Sequence, residues 1–316
     1  MAMRIPVPGI ALFWCLLWCS ACQPSRAPEC ADTASADGIH GALLASRFAT
    51  MEDLGQALTI HYGTASGLPD SAEAPSDAVQ LAHCSNGRQV ISRLATGVDE
   101  NDFRKARDGD FWDRLSLGLQ SPYVVAHRQE LQQVVVLSRR MRLEFGVGDV
   151  AFYDLAEAMV DHIITEDLAY RNARDSSEKG YINSFNHLTA QAFVTSVYSE
   201  ELADFIADVH ERYNMPELIS GQFTAAQQSD PDNNPVDNYV DMINNEWGQE
   251  VGKQLGATYG LSPETRWTPE LLTAYLNDLQ QYYSWAFQVG MRPFRQEEEV
   301  VTRFSTKVNR VMQNDW

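Results

Sequence analysis

Positive charge is scarce in this chain. Its 24 lysines and arginines face 43 aspartates and glutamates, which gives a formal net charge of −19. Proteins that bind nucleic acid neutralise phosphates with a basic surface, and this composition offers none. Nucleic acid is therefore excluded as a predicted partner. The excess of acid instead keeps the protein soluble and repels anionic surfaces at long range.

Long apolar runs are also missing, and the longest extends from about Val7 to Trp18. It is too short to span a bilayer, and with Arg4 before it the run is typical of a secretory signal. The sequence "CSAC" ends in Cys22 and resembles a bacterial lipoprotein processing site, in which that cysteine becomes lipidated. Cys19 stands where leucine is usual, and cleavage of an ordinary signal nearby is the alternative. Gln23 after the cysteine favours the outer membrane in that resemblance. We therefore expect an exported, lipid-anchored protein of the outer membrane that faces the periplasm or the cell surface.

Cysteine is rare, with five residues in the chain. Cys15 and Cys19 lie in the predicted signal, and Cys22 is assigned to the lipid. Cys30 and Cys84 remain, an even pair in an oxidising compartment, so we predict a disulfide between them. Two free thiols are the alternative.

The chain lacks a glycine-rich phosphate loop, a G-x-S-x-G nucleophile motif and internal repeats. Residues 1–21 are predicted as the signal peptide, 22–38 as a tether rich in Pro, Ala and Ser, 39–145 as a mostly helical region and 146–316 as a helical domain that carries a polar site. The predicted fold is mainly α, an irregular multi-helix bundle with a short β element near 55–90. Predicted helices cover about 39–63, 101–107, 110–119, 124–144, 150–171, 182–198, 200–213, 236–256, 269–289 and 295–313.

Polar residues occupy positions on three successive helices where an apolar stripe would predict core. Asn183 and His187 lie one turn apart on the same face. On the next helix His210 continues a line of small residues that includes Ala203 and Ala207. Glu211, directly after His210, is turned about 100° away from it.

The third helix, "VDMINNEWGQEVGKQLG", carries glycines at 248, 252 and 256, although each interior glycine costs about 1 kcal/mol relative to alanine. Such a row removes side chains along one groove, so a neighbouring helix can approach closely. We predict that the alanine stripe ending at His210 occupies this groove and brings His210 beside Asn244 and Asn245. Asp241 shares a face with Asn245.

These segments, "NSFNH" at 183–187, "HE" at 210–211 and "VDMINNEWG" at 240–248, resemble a bacterial helical domain family. Its signature reads N-A-F-R-H, then H-E, then M-D-x-x-N-N-x-x-G, and it occurs in envelope lipoproteins and toxin-like modules without a settled activity. The resemblance covers about 160–256. Asn186 stands where the family has arginine. If that arginine holds an anionic group, the departure implies that this protein either binds something different or is impaired. The resemblance assigns a shared site to the following residues: Asn183, His187, His210, Glu211, Asp241, Asn244, Asn245 and Gly248.

Two mechanisms suit this set of residues. In the first, His187, His210 and Asp241 bind a divalent metal such as zinc and leave one position for water. Glu211 is then the general base, and Asn244 or Asn245 orients ligands or stabilises an oxyanion.

In the second mechanism no metal takes part, and a histidine oriented by Asp241 or Glu211 activates water or a substrate hydroxyl. Asn183 and Asn186 are predicted binding residues in either case. Both mechanisms predict a hydrolase acting on an envelope molecule, such as a lipid or a peptidoglycan fragment. The alternative is a non-catalytic lipoprotein that binds a protein partner or stabilises the envelope, with polar residues that only fix the register of packed helices.

Overall fold

The computed structural model describes residues 40–63, 78–220, 222–229 and 235–316. The predicted signal peptide, the tether, the lipidated Cys22 and Cys30 lie outside the described residues. Cys84 is disulfide-bonded. Its pairing with Cys30 stays a prediction because Cys30 is not among the described residues.

The fold is mainly α with one small sheet, as predicted. The strands are β1 (Thr59–Gly63), β2 (Ala78–Ser85) and β3 (Arg88–Ala95), paired antiparallel in the order β1-β2-β3. Asn86 and Gly87 join β2 to β3, and both have positive φ, +52° and +71°. That is the backbone that a two-residue hairpin turn requires, and it explains the Asn-Gly pair. The predicted short β element near 55–90 is confirmed and extends to Ala95.

The α-helices follow in chain order. They are α1 (Met51–Leu54), α2 (Glu100–Asp108), α3 (Phe111–Gln120), α4 (Pro122–Ala126), α5 (Arg128–Leu137), α6 (Arg142–Phe145), α7 (Phe152–Asp161), α8 (Glu166–Ala169), α9 (Asn183–Val197), α10 (Glu200–Asn214), α11 (Glu217–Ser220), α12 (Ala225–Ser229), α13 (Pro235–Tyr259), α14 (Pro269–Phe287) and α15 (Glu299–Met312). Single turns of other types cover Ala45–Arg47, Ala173–Ser176 and Glu178–Ile182.

Three of the predicted helices were too long. The helix over 39–63 is only the four-residue α1, which begins at a capping box between Thr50 and Asp53. Its continuation is β1, because pairing with β2 satisfies the backbone there. The helix over 124–144 is divided into α4, α5 and α6, and that over 150–171 into α7 and α8.

The core surrounds α13, which is buried at nearly every position from Pro235 to Gln249. A helix buried on all sides packs in the middle of a domain, and α13 lies against α9, α10, α14 and the sheet. The largest fully buried side chains include Phe185, Phe193, Trp247 and Tyr283. Among the described residues, no helix combines the length and the apolar character that crossing a bilayer requires.

The glycine row of α13 forms a groove that α9 occupies. The prediction that α10 occupies this groove was wrong. A Cβ on Gly248 would lie 2.9 Å from the Leu188 carbonyl oxygen, and one on Gly252 would lie 2.6 Å from that of Ala192. The occupied groove therefore belongs to the 188–196 side of α9. That face of α9 also presents small side chains at four-residue spacing, Ala192 and Ser196, so it approaches as closely as an alanine stripe would.

Candidate active site

Three helices bring polar side chains to one place. The first two turns of α9 supply Asn183 and His187. One face of α13 supplies Asp237, Asp241 and Asn245, at four-residue intervals. The close contact of α9 with α13 along the glycine row sets these two faces against each other. The later turns of α10 add His210 and Glu211.

His187 lies between Asp241 and Asn245. Its Nε2 is 3.3 Å from Asp241 Oδ2, and its Nδ1 is 3.0 Å from Asn245 Oδ1. The Asn245 amide nitrogen donates to Glu211 Oε1 at 3.5 Å, so the Asn245 oxygen faces His187 and accepts from Nδ1–H. This assignment leaves the lone pair on Nε2, which can accept a proton from Asp241 or bind a metal ion.

Three carboxyl groups lie buried together beside this imidazole. The Asn183 amide donates to Asp237 at 3.0 Å and to Asp241 at 2.9 Å. Lys179 forms an ion pair with Asp237. Glu211, only 2% exposed, completes the group from α10. Lys179, with a weaker contribution from the charge of Arg174, provides the positive charge beside these three carboxyl groups.

Burial raises the pKa values of two carboxyl groups of the site, Glu211 and Asp241, and lowers the pKa of the His187 imidazole. Burial raises the pKa of Glu211 to about 8, and the nearby charge of Asp237 adds to the effect. Burial, followed by the charges of Asp237 and Glu211, holds the pKa of Asp241 well above its usual range. Burial lowers the pKa of His187 to about 4, with the charge of His210 as the next cause. His187 is therefore a neutral imidazole near pH 7, the form that binds metals.

His210 joins the site from its exposed side. Its side chain is 48% exposed, and its Nδ1 lies 2.7 Å from Glu100 Oε1 on α2. This hydrogen bond raises the pKa of His210 above its usual value. The rings of His187 and His210 have centroids 6.1 Å apart. Glu100 orients the imidazole through Nδ1 and leaves Nε2 as the ring nitrogen that can bind a metal ion.

A metal ion can be held by His187, His210 and Glu211, whose ligand atoms all lie within 4.8 Å of one another. The predicted ligand set contained Asp241 in place of Glu211. Asp241 instead contacts His187 directly. Glu211, predicted as the general base, offers the third ligand atom. Two histidines and one glutamate form a ligand set that catalytic zinc sites use.

Asn244 lies outside this cluster, which corrects its predicted catalytic position. It is fully buried; its Oδ1 accepts from the Leu43 backbone N–H at 2.8 Å, and its Nδ2 donates to the Leu43 carbonyl at 2.9 Å. Adjacent residues of a helix point about 100° apart, so Asn245 reaches the cluster while Asn244 turns to the segment around Leu43. Asn186 is partly buried, and the described residues provide its side chain with no hydrogen-bond partner. Its predicted binding role stays a prediction.

Sequence reasoning did not identify three members of the site: Glu100, Lys179 and Asp237. Asp237 carries a usable signal, because it lies four residues before Asp241 on the face that also bears Asn245. Glu100 carries none, since it resembles any acidic residue in the first turn of a helix. Lys179 lies on the short turn before α9.

Comparison of the chain with protein-family models, with curated proteins and with solved structures found no match. The resemblance to the helical domain family therefore stays a prediction.

Proposed function

We propose that the protein is a metal-dependent hydrolase in which His187, His210 and Glu211 bind a divalent cation such as zinc. The observation that supports this proposal best is that the ligand atoms of these three residues lie within 4.8 Å of one another, beside the buried carboxyl groups of the cluster. Buried carboxylates are costly unless they are paired or bind a metal. A divalent cation would add positive charge to the carboxyl groups that Lys179 does not pair.

The chemistry assigns a task to each neighbour of the metal. A cation held by these residues would lower the pKa of a coordinated water and so supply a nucleophile for a substrate carbonyl at neutral pH. Asp241 is the candidate general base, because its carboxyl group lies beside the His187 nitrogen that would bind the cation, and that positive charge would lower its raised pKa. Asn245 accepts the other imidazole N–H and fixes the orientation of the ring.

The N-terminal sequence supports a location for this reaction. The signal-like run and Cys22 favour an exported protein anchored by lipid to the outer membrane, facing the periplasm or the cell surface. The substrate is then an envelope molecule, such as a lipid or a peptidoglycan fragment.

A second candidate function is a non-catalytic lipoprotein that binds a protein partner or stabilises the envelope. The chain of contacts from Asp241 through His187 and Asn245 to Glu211 favours it, because such a network can satisfy buried polar groups without a ligand.

Zinc titration by calorimetry on the metal-stripped chain separates the two candidates. We expect one zinc per chain in the wild type, and loss of at least about tenfold in affinity in His187→Ala and Glu211→Gln, since each removes a direct ligand. His61→Ala, at an exposed position on β1, is the matched control and keeps the wild-type affinity. If zinc does not bind and the two site variants change only the melting temperature, the non-catalytic candidate is correct.

A further inference from the structure

An apolar cavity of about 530 Å³ opens beside the candidate active site. It lies between α2, α5, α9 and α10, and its volume falls in the range of about 300 to 1,000 Å³ typical of ligand pockets. His210 and Glu100 form part of its lining. Most of the remaining wall is aliphatic or aromatic, represented by Phe103, Leu131, Val135, Val194, Phe205 and Ile206.

Among the charged side chains of this lining, three arginines outnumber the single carboxylate, Glu100. Arg104, Arg107 and Arg139 all border the cavity, in a chain whose 43 acidic residues outnumber its 24 basic ones. Arg104 is paired with Glu100 and Arg107 with Asp108. Arg139 has no carboxylate partner in the described part of the chain, which leaves a cation at the cavity for an anionic group.

Glu100 fixes the relation between the cavity and the cluster. It accepts hydrogen bonds from both Arg104, at 2.7 Å, and His210, at 2.7 Å. A guanidinium and an imidazole of the candidate site therefore lie at the same end of the cavity. A molecule with an anionic polar end and an apolar body fits this arrangement with its polar end near His210.

The apolar surface continues beyond this cavity. A second cavity of about 810 Å³ shares Phe103, Leu131, Val135 and Arg139 with the first. Val135, 48% exposed, lies between them. A long chain can therefore extend from one cavity into the other.

We propose that the cavity binds the fatty-acyl chain of an anionic lipid, so that the substrate of the site is an acyl ester. Acyl-chain binding stands by itself, whereas cleavage of the ester rests on the proposed function. In that cleavage the oxygen of water bonds to the acyl carbon, and the bond from that carbon to the alkoxy oxygen breaks. The alkoxy oxygen takes the proton that the base removed from water, and a fatty acid and an alcohol leave.

The experiment uses a dansyl-labelled fatty acid as a fluorescent probe on the chain without its signal peptide. We expect saturable binding that hexadecanoate displaces, and displacement by an alkylammonium of equal length at concentrations about tenfold higher, because the arginines favour an anion. Ile206→Trp fills the cavity and weakens probe binding by about tenfold or more, since an overpacked site excludes the chain.

Matched variants inside and outside the cavity lining separate loss of probe binding from loss of folding. Val135→Trp places a larger side chain in the same cavity from a half-exposed position and is expected to reduce probe binding. Val147→Trp, at an 89% exposed position outside the lining, is expected to retain wild-type probe binding. Arg139→Glu weakens probe binding about threefold to tenfold, and Arg142→Glu, outside the lining, leaves it unchanged.

The two proposals fail separately. Absence of saturable probe binding, displacement by an apolar peptide but not by hexadecanoate, or equal losses in Ile206→Trp and Val147→Trp would overturn the acyl-chain site and leave zinc binding intact. His187→Ala is expected to bind the probe as the wild type does while losing zinc.

Discussion

At the scale of single residues, Asn244 and Asn245 have the same side chain and opposite surroundings. Asn245 contacts His187 and Glu211 in the polar cluster. Asn244 binds both backbone polar groups of Leu43 on another side of α13. The register of the helix, and not the residue type, assigns their tasks.

Asn244→Ala is expected to destabilise the protein by about 1 to 3 kcal/mol, because the buried Leu43 N–H loses its partner, whereas the Leu43 carbonyl keeps the hydrogen bond from Ser184. Metal affinity stays unchanged, since Asn244 does not reach the cluster. Denaturant unfolding and zinc titration of the same sample measure the two effects. Asn186→Ala, which breaks no hydrogen bond to the described residues, serves as the control for stability. A loss of zinc affinity in Asn244→Ala would contradict this assignment.

At the scale of elements, the sequence predicted the long helices well and their partners less well. Thr268 and Pro269 identify the start of α14, and the apolar period locates α9, α10 and α13 within a few residues. The glycine row correctly predicted that a helix approaches α13 closely. Its partner could not be chosen from the sequence, because α9 offers Ala192 and Ser196 and α10 offers Ala203 and Ala207, two similar small-residue stripes.

The cluster itself was predictable in part for the same reason. Periodicity groups residues that share one helix face, so Asp241 with Asn245 and Asn183 with His187 were expected together. Contacts between elements distant in the chain, such as Glu100 with His210, depend on how α2 packs on α10. Local pattern contains no information about that packing.

Glycine-to-alanine substitutions in α13 test the close contact with α9. Gly252→Ala is expected to cost about 2 to 3 kcal/mol, despite a gain of about 1 kcal/mol in helix propensity, because its Cβ would lie 2.6 Å from the Ala192 carbonyl oxygen. Gly256→Ala costs less, since its nearest neighbour, the Ser196 carbonyl oxygen, is 3.0 Å away. Thermal unfolding of both variants measures the order. A stabilised Gly252→Ala would show that the two helices separate freely.

At the scale of the whole molecule, the acidic composition is partly buried, and stability therefore depends on pH. Burial raises the pKa of Glu246 on α13 to about 8, and the charges of Asp204, Asp208 and Glu200 act in the same direction, whereas a hydrogen bond from Ser92 opposes them. The folded state therefore binds this proton more tightly than the unfolded chain does.

The sign follows from that difference. Between the ordinary carboxyl value of 4.5 and about 8, the folded protein holds more protons, so its stability falls as pH rises. Glu246→Gln is expected to remove about 1 to 3 kcal/mol of this fall. Denaturant unfolding across that pH interval measures it. Glu250→Gln, one turn further along and paired with Lys253, is the matched control; a Glu246→Gln profile that matches the wild type would contradict the prediction.

Residues 40–43 are held against α13 and α14 by hydrogen bonds. The His40 N–H donates to the Ala286 carbonyl at 2.6 Å, Tyr282 donates to the Gly41 carbonyl, and Leu43 is clamped by Asn244. A force applied at residue 40 would act on α13 and α14 through these hydrogen bonds. If the predicted tether anchors the protein to a membrane, tension in the tether would therefore be transmitted to α13, the helix that carries Asp241.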